Sequence, residues 1–187
     1  MAAIPITVWK VRETGGANTP SIRRHIEKSA QTFLIGTPVQ VTSGYLIEQP
    51  TINGAHLVAG IAHEPASNLT TDATAKTLTY GSVQNQAHAV LIPGGAPPND
   101  GTCGFVVANG STEFKAKLGT DQTSAVTNVG SIFGLTKQAN GFWYVDTTIT
   151  AAGSGAVCEV TELIDPAGTT EGLVAFRFTQ AAWLFER

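Results

Sequence analysis

The stretch TFLIGTPVQVTSGYLIEQPTINGAHLVAGIA, residues 32–62, decides the fold of this chain. Its apolar residues alternate with polar ones in short runs, as at Val39 and Val41, which is typical of strands with one buried face. The dipeptides Ser43-Gly44 and Asn53-Gly54 separate these runs, and such dipeptides favour tight turns between antiparallel strands. The stretch therefore predicts several short strands joined by hairpin loops.

The second half of the chain has the same character. Asn109-Gly110 divides CGFVVANGSTEFKAKL, residues 103–118, into two alternating arms and predicts a hairpin. A second hairpin is expected around Asn140-Gly141. Counting every apolar run gives roughly ten or more strands at the spacing typical of a β-sandwich or barrel. The sequence therefore predicts an all-β fold, with a compact sandwich-like or barrel-like body of short antiparallel strands and at most short helices.

The N-terminal region is expected to lie apart from this body. Residues 4–11 alternate well enough for a strand, and the cluster ETGGANTP, residues 13–20, follows them as a chain breaker. We therefore expect residues 1–20 to form an extended arm that can be removed without unfolding a body of residues 21–187. Within that body, residues 65–125 are expected to hold a small subdomain or long loops.

One passage leaves its local structure open. In SIRRHIEKSA, residues 21–30, the spacing of Ile22 and Ile26 with Ser21 as a cap fits a short helix, but the passage also fits an extended strand.

Composition limits the classes of function. Charged residues make up 13% of the 187 residues, about half the usual share of ~25%, so a large part of the surface must be polar and uncharged or covered by other chains. A net charge of −3 argues against binding of nucleic acid by phosphate neutralisation. The sequence shows neither a secretory signal nor an apolar stretch long enough to span a membrane, so we expect a soluble protein made in the cytoplasm, with no membrane partner.

The four histidines form no recognisable metal-binding pattern. His56 and His63 are an odd number of positions apart, so on one continuous strand they point to opposite faces. No cysteine or carboxylate lies at ligand spacing beside the other two, His25 and His88. We therefore expect no metal and no other cofactor.

No group of residues has the pattern of a catalytic site. Asp146, followed by two threonines, is faintly similar to the Asp-Thr-Gly of aspartic proteases, but a threonine replaces the glycine, which favours an ordinary strand residue. Because no acid, base and nucleophile occur together at recognisable spacing, we expect a protein that is not an enzyme. Cys103 and Cys158 can form one disulfide, but the apolar runs around them favour buried free thiols.

Two segments, residues 32–64 and 129–178, resemble the capsid decoration proteins, or cement proteins, of tailed bacteriophages. The first segment shares a Gly-x-Pro-Val strand start at 36–39, a glycine turn and a returning strand that ends in Gly-Ile-Ala at 60–62. The second, which begins VGSIFGLTKQANGFWYVDTT, is similar to the closing section of such proteins. The resemblance implies a β-tulip-like body that binds the major capsid protein on the outer surface of the virion. It also implies a homotrimer that stabilises junctions between capsid subunits, with N-terminal arms laid over neighbouring subunits.

Under this hypothesis the N-terminal region carries the contact with the capsid. An alternating arm can add a strand to a partner's sheet, and a concentration of arginines in a charge-poor chain suits an acidic partner surface. The apolar strand faces around Trp143 or Trp183 are expected to hold the trimer together. The expected partner-binding residues are Ile4, Ile6, Val8, Trp9, Arg12, Arg23 and Arg24.

Three other functions remain open. Another virion component, such as a tail protein or the base of a fibre, would share the β-rich and charge-poor character of this chain. A carbohydrate-binding module is a second alternative, because exposed aromatic side chains stack on sugars. A small hydrolase is the third. The aromatic residues available for a sugar platform are Trp9, Trp143, Tyr144 and Trp183.

Overall fold

The computed structural model of the protein describes residues 4–11, 19–50, 57–70, 101–150 and 155–185. Eleven strands lie in these ranges: β1 (Thr7–Val11), β2 (Ile22–Ile26), β3 (Pro38–Thr42), β4 (Tyr45–Glu48), β5 (Gly60–Ala62), β6 (Thr102–Val107), β7 (Thr112–Lys117), β8 (Ile132–Lys137), β9 (Trp143–Thr150), β10 (Cys158–Leu163) and β11 (Leu173–Phe178). The described helices are two 3₁₀ turns, Val126–Asn128 and Gln180–Ala182. The all-β prediction is therefore confirmed.

The strands form two antiparallel sheets in an arrangement consistent with a β-sandwich. Sheet A has six strands in the order β1-β7-β11-β10-β8-β9, and sheet B has five in the order β2-β6-β5-β3-β4. Within the described ranges neither sheet closes into a barrel. Among the described strands the chain crosses between the sheets twice, since β1 belongs to sheet A, β2 to β6 belong to sheet B, and β7 to β11 return to sheet A.

The main hydrophobic core lies between the two sheets. Sheet A contributes the fully buried rings of Phe114, Phe176 and Phe178, whose centroids lie 5.6 to 5.8 Å apart. Sheet B contributes Ile61 and Val106 from the facing side. Close aromatic pairs of this kind add about 0.5–1.5 kcal/mol each beyond the burial of their area, so this aromatic cluster is a major source of stability.

A second core lies on the other face of sheet B. Phe105 and Val107 of β6 belong to it, whereas Val106 belongs to the main core, as the alternation of side chains along a strand requires. Leu184 and Phe185 of the C-terminal segment pack against this second core. The ring of Phe185 stacks on that of Phe105 with centroids 6.0 Å apart, so the C-terminal segment covers the outer side of sheet B.

Sheet B curls around the second core. Just beyond the end of β2, Glu27 forms an isolated bridge with Leu46 of β4, at the opposite edge of the sheet. The amide of Lys28 also donates to the carbonyl of Leu46 at 3.1 Å. These contacts bring the two edges of sheet B towards each other and partly cover the edge of β4.

Two of the predicted hairpins are confirmed. Ser43-Gly44 joins β3 to β4, with φ angles of 51° and 83°, the positive values that a tight type I′ turn needs. Asn140-Gly141 joins β8 to β9. Another candidate turn, Asn53-Gly54, lies outside the described residues.

The predicted hairpin at Asn109-Gly110 is wrong. These residues connect β6 in sheet B to β7 in sheet A, so the flanking strands do not pair with each other. The side chain of Asn109 is buried, and its Oδ1 accepts hydrogen bonds from the amides of Ser111 and Thr112 at 3.2 and 2.8 Å. The asparagine thus organises a turn, as its residue type favours, but the turn directs the chain from one sheet to the other.

The described part of the expected N-terminal arm belongs to the body. Val8 of β1 lies opposite Phe114 of β7 in antiparallel pairing, and the preceding Ile6 is 1% exposed in the main core. This corrects the arm prediction for residues 4–11, because the apolar face of that segment packs into its own chain. Residues 1–3 and 12–18 are outside the described ranges.

Two further sequence expectations concern residues 21–30 and 65–125. The open choice between helix and strand is settled for Ile22–Ile26, which is a strand paired with β6. The region 65–125 contains β6 and β7, both central to the cores. Loops or a subdomain at residues 71–100 stay a prediction, since the structure does not describe that segment.

Candidate partner-binding surface

The apolar side chains that were expected to contact a partner divide between the core and the surface. Ile6 is buried in the main core, and the partly buried Val8 packs against the same core. Ile4 is only partly buried. Ile6 and Val8 therefore stabilise the protein itself, although Val8, like Ile4, keeps part of its surface exposed.

Trp9 lies on the opposite, outer face of sheet A. The register of β1 against β7 shifts between Val8 and Lys10, so Trp9 occupies a bulge at the sheet edge. The ammonium groups of Lys10 and Lys115 lie 5.4 and 5.2 Å from its ring centroid. Its indole Nε1 donates to Glu162 at 3.4 Å, and Lys10 is ion-paired with the same carboxylate. Charged neighbours thus hold the ring against the outer face of the sheet.

The arginines of β2 have different environments. Arg24 is ion-paired with Glu64 at 2.7 Å, and its Nε donates to Thr102 Oγ1 at 3.0 Å, so this guanidinium is engaged inside the fold. Arg23 is exposed and stands over the ring of Phe185, 5.0 Å from the centroid. Arg23 is accessible to a partner, whereas Arg24 stabilises the fold of its own chain. Arg12 lies outside the described residues.

A polar cluster around Arg24 ties residues 63–67 to sheet B. Glu64 Oε2 accepts a hydrogen bond from the amide of Gly104 at 3.2 Å. Glu27 is fully buried, and its two carboxylate oxygens accept the amide of Ser67 at 3.2 and 2.9 Å. Because a buried carboxylate is costly without such donors, we interpret this cluster as structural: it holds residues 63–67 against sheet B.

An apolar groove opens between the edge strand β1 and sheet B. It encloses about 420 Å³. Ile35, 47% exposed, lies on its wall beside Pro20 and His63. Ile22 is 42% exposed and stands opposite the groove residue Val106 in the β2–β6 pair. Since directly opposed residues of a strand pair share a face, Ile22 extends the apolar rim of this groove.

Sequence reasoning did not single out Ile22 and Ile35 as surface residues. A signal for the second was present in the run Phe33-Leu34-Ile35, because three consecutive apolar residues cannot all point to one side of an extended chain. In the structure Phe33 is buried, whereas Leu34 and Ile35 are 41% and 47% exposed. For Ile22 no signal in the sequence distinguishes a rim position from a core position.

Two of the four aromatic residues considered for a trimer face or a sugar platform are internal. Trp143 is 2% exposed, and its Nε1 donates to Glu48 Oε1 at 3.1 Å across the two sheets. Tyr144 is 5% exposed. These positions correct the assignment of a trimer contact to the surface around Trp143. Trp183 is partly exposed and lines a separate cavity.

Both cysteines are buried free thiols, which confirms the favoured interpretation. Burial, reinforced by the nearby carboxylates of Glu27 and Glu64, raises the pKa of Cys103 far above its ordinary value. Burial also raises the pKa of Cys158. Because the thiolate is the nucleophilic form, neither side chain is suited to covalent catalysis at neutral pH.

Asp146 is the centre of a dense hydrogen-bond network on β9. Its carboxylate accepts hydrogen bonds from the amide and hydroxyl of Thr148 at 3.0 and 2.6 Å, from Thr136 at 2.9 Å and from Gln122 at 2.7 Å. Partial burial alone would raise the pKa of Asp146, but these donors outweigh it, so the pKa lies below its ordinary value. A carboxylate held in its ionised form by four donors is a structural acceptor.

Replacing Asp146 by asparagine is expected to destabilise the protein in a pH-dependent way. The folded-state pKa is lowered, so the stabilisation is complete above the unfolded-state pKa of about 3.9 and is lost as the pH falls through the lowered folded value. The stability gap between wild type and Asp146→Asn should therefore be largest near neutral pH and shrink below about pH 4. Urea unfolding of both proteins over this pH series measures the gap, and a gap independent of pH would contradict the network's role.

The described residues offer few groups for other chemistry. Among them, no three His, Cys, Asp or Glu side chains come together as a metal-binding group. No helix in the same ranges is long and apolar enough to span a membrane. His56 and His88 are not described, so the expectation that His56 and His63 face opposite ways stays a prediction. Comparisons with protein-family models, curated proteins and solved structures find no match to this chain.

Proposed function

We propose that this chain is a non-catalytic virion protein that binds the outside of a tailed-phage capsid as a homotrimer and stabilises contacts between major capsid protein subunits. The observation that carries the proposal is the apolar groove beside β1, with Ile22 and Ile35 exposed at its rim. Exposed apolar side chains around a concave surface are typical of protein-binding sites. The resemblance of residues 32–64 and 129–178 to decoration proteins supports a capsid as the partner.

The geometry favours contact through side chains over addition of a long strand. β1 is the last strand of sheet A, so within the described residues its outer side pairs with no other strand. However, the bulge between Val8 and Lys10 interrupts its register, and bulges and lysines hinder the pairing of edge strands. We therefore assign the capsid contact to the groove and its rim; the exposed Arg23 lies on the opposite face of β2, over Phe185.

A homotrimer strengthens such a contact. Each copy offers one groove of modest size, and after the first copy has bound, the other two bind at high effective concentration. A trimer bound in this way resists separation of capsid subunits because all its contacts must break together.

Replacing Ile35 by aspartate is expected to abolish decoration while leaving the protein folded. The side chain is already half exposed, so the change buries no charge in the free protein, but it places a carboxylate in the proposed apolar contact. We expect binding to purified undecorated capsid shells, measured by co-sedimentation, to weaken by at least about tenfold.

Val126→Asp provides the matched control. Val126 is 74% exposed on the connection between β7 and β8, away from the groove, so its replacement should leave decoration unchanged. Equal binding by the two variants would refute the groove assignment. Failure of the unaltered protein to sediment with any shell would refute the function itself, and light scattering of the free protein tests the trimer separately.

A further inference from the structure

A second cavity lies on the outer face of sheet A, apart from the apolar groove. It encloses about 330 Å³ and opens where β8, β10 and β11 meet the β6–β7 connection and the C-terminal 3₁₀ turn. This volume is at the lower end of the ~300–1,000 Å³ typical of small-molecule sites. Its lining includes Ile132, Glu159, Arg177, Thr179, Gln180 and Trp183.

The polar wall of this cavity is an ion pair with a fixed geometry. Glu159 and Arg177 stand directly opposite each other on β10 and β11. Nε and Nη2 of Arg177 both donate to Oε2 of Glu159, at 3.1 and 2.9 Å. Arg177 Nη1 and Glu159 Oε1 take no part in these bonds, and both side chains keep exposed surface, 40% and 29%. The pair therefore presents a donor and an acceptor side by side.

The apolar wall is a tryptophan held in one position. The Nε1 of Trp183 donates to the carbonyl of Phe178 at 3.0 Å, and the ring packs against the main core. The β6–β7 connection passes close to the ring at Gly110, where a Cβ atom would lie 3.0 Å from it. Because the ring is immobilised before any ligand arrives, little conformational entropy remains to be lost on binding.

The combination of these walls selects a neutral, polar, ring-shaped ligand. An anion would meet the carboxylate of Glu159 beside the guanidinium, and a purely apolar molecule would remove water from the ion pair without replacing its hydrogen bonds. A sugar ring offers both complementary features: C–H groups that pack on an indole, and neighbouring hydroxyls that each donate and accept a hydrogen bond. We propose that this cavity binds a single pyranose unit of a saccharide, with Arg177 and Glu159 holding adjacent hydroxyls and Trp183 supporting the ring.

Ligand-observed saturation-transfer NMR tests this proposal with methyl glycosides of glucose, galactose, mannose and N-acetylglucosamine as the probes. The wild-type protein is expected to bind at least one of them. Arg177→Met, which keeps the aliphatic stem, and Glu159→Gln, which keeps the shape, should each weaken that binding by roughly tenfold or more, because hydrogen bonds to charged groups are lost. Glu162→Gln is the matched control, since Glu162 lies on the same strand but pairs with Lys10 outside the cavity; its binding should stay within about twofold of wild type.

Several results would overturn the proposal. Binding of none of the four glycosides to the wild-type protein would do so, as would unchanged binding in both Arg177→Met and Glu159→Gln. Binding of acetate or phosphate at Arg177 in place of the glycosides would identify an anion site and also reject it. Thermal denaturation checks that each variant is folded, and if Arg177→Met does not fold, the nearly isosteric Glu159→Gln decides. Decoration of shells is not part of this readout, so the two proposals can fail independently.

Discussion

Removing residues 1–11 is expected to unfold the protein. The deletion takes away β1 and leaves the edge of β7 without its partner. It also removes the side chain of Ile6, which is 1% exposed in the main core. Loss of one such buried side chain costs about 2–5 kcal/mol, and with the lost strand the total approaches the ~5–15 kcal/mol that stabilises a typical domain. Circular dichroism and urea unfolding of the truncated chain measure this effect.

Two point variants distinguish the effect of losing one core side chain from the effect of losing the whole strand. Ile6→Ala should destabilise the full-length protein by about 2–5 kcal/mol, whereas Ile4→Ala, at a partly buried position, should cost less than about 1 kcal/mol. If the truncated chain instead unfolds at the same urea concentration as the whole protein, residues 1–11 are an independent arm after all. Loss of capsid decoration in the truncated chain alone cannot identify a contact, because the variant is unfolded.

Replacing Gly60 by alanine is expected to disrupt sheet B. Gly60 lies in β5 between β3 and β6, and a Cβ atom there would lie 1.9 Å from the carbonyl oxygen of Val106. The obstacle is backbone of a neighbouring strand, which cannot rotate away as a side chain does. Overpacking of well-filled sites costs about 1–3 kcal/mol and occasionally more, and we expect this variant at or above the upper end. Thermal unfolding measured by calorimetry gives the value.

Gly104→Ala is the matched control for this prediction. Gly104 lies on the adjacent strand β6 and is also buried, but an added Cβ would meet only the ends of Arg24 and Glu64 side chains at 3.4 Å. That distance is ordinary contact, so the expected change is within about 1 kcal/mol. Equal destabilisation of the two variants would show that loss of glycine itself, and not the collision at Gly60, is responsible.

Sequence alone predicts the parts of this fold that depend on neighbouring residues. The turn at Ser43-Gly44 is specified by two residues that accept positive φ angles, and the strands on either side follow directly in the chain. The same holds for Asn140-Gly141. Alternation also identified the apolar face of residues 4–11, including Ile6. In each case the information that determines the structure lies within a few residues.

The rest depends on residues that are distant in the sequence. Asn109-Gly110 carries the same local signal as the confirmed hairpins, yet its flanking strands join different sheets. The strand before it, β6, pairs with β2 and β5, whereas the strand after it, β7, pairs with β1 and β11. Nothing near Val8 indicates that its partner is Phe114. The site follows the same rule: the groove rim at Ile22 and Ile35, and the register of Glu159 with Arg177, arise only when separate strands are brought together.

The pairing of β1 with β7 also has a consequence for biosynthesis. Thr7 lies opposite Lys115, so β1 lacks its partner strand β7 until more than a hundred further residues have been made. At ordinary translation rates of ~5–20 residues per second, that wait is about 5–20 s. During this time the nascent chain carries an unpaired apolar strand, which makes it a natural client for chaperones that bind extended hydrophobic segments. Docking of β1 on β7 therefore follows the synthesis of every described strand of sheet B.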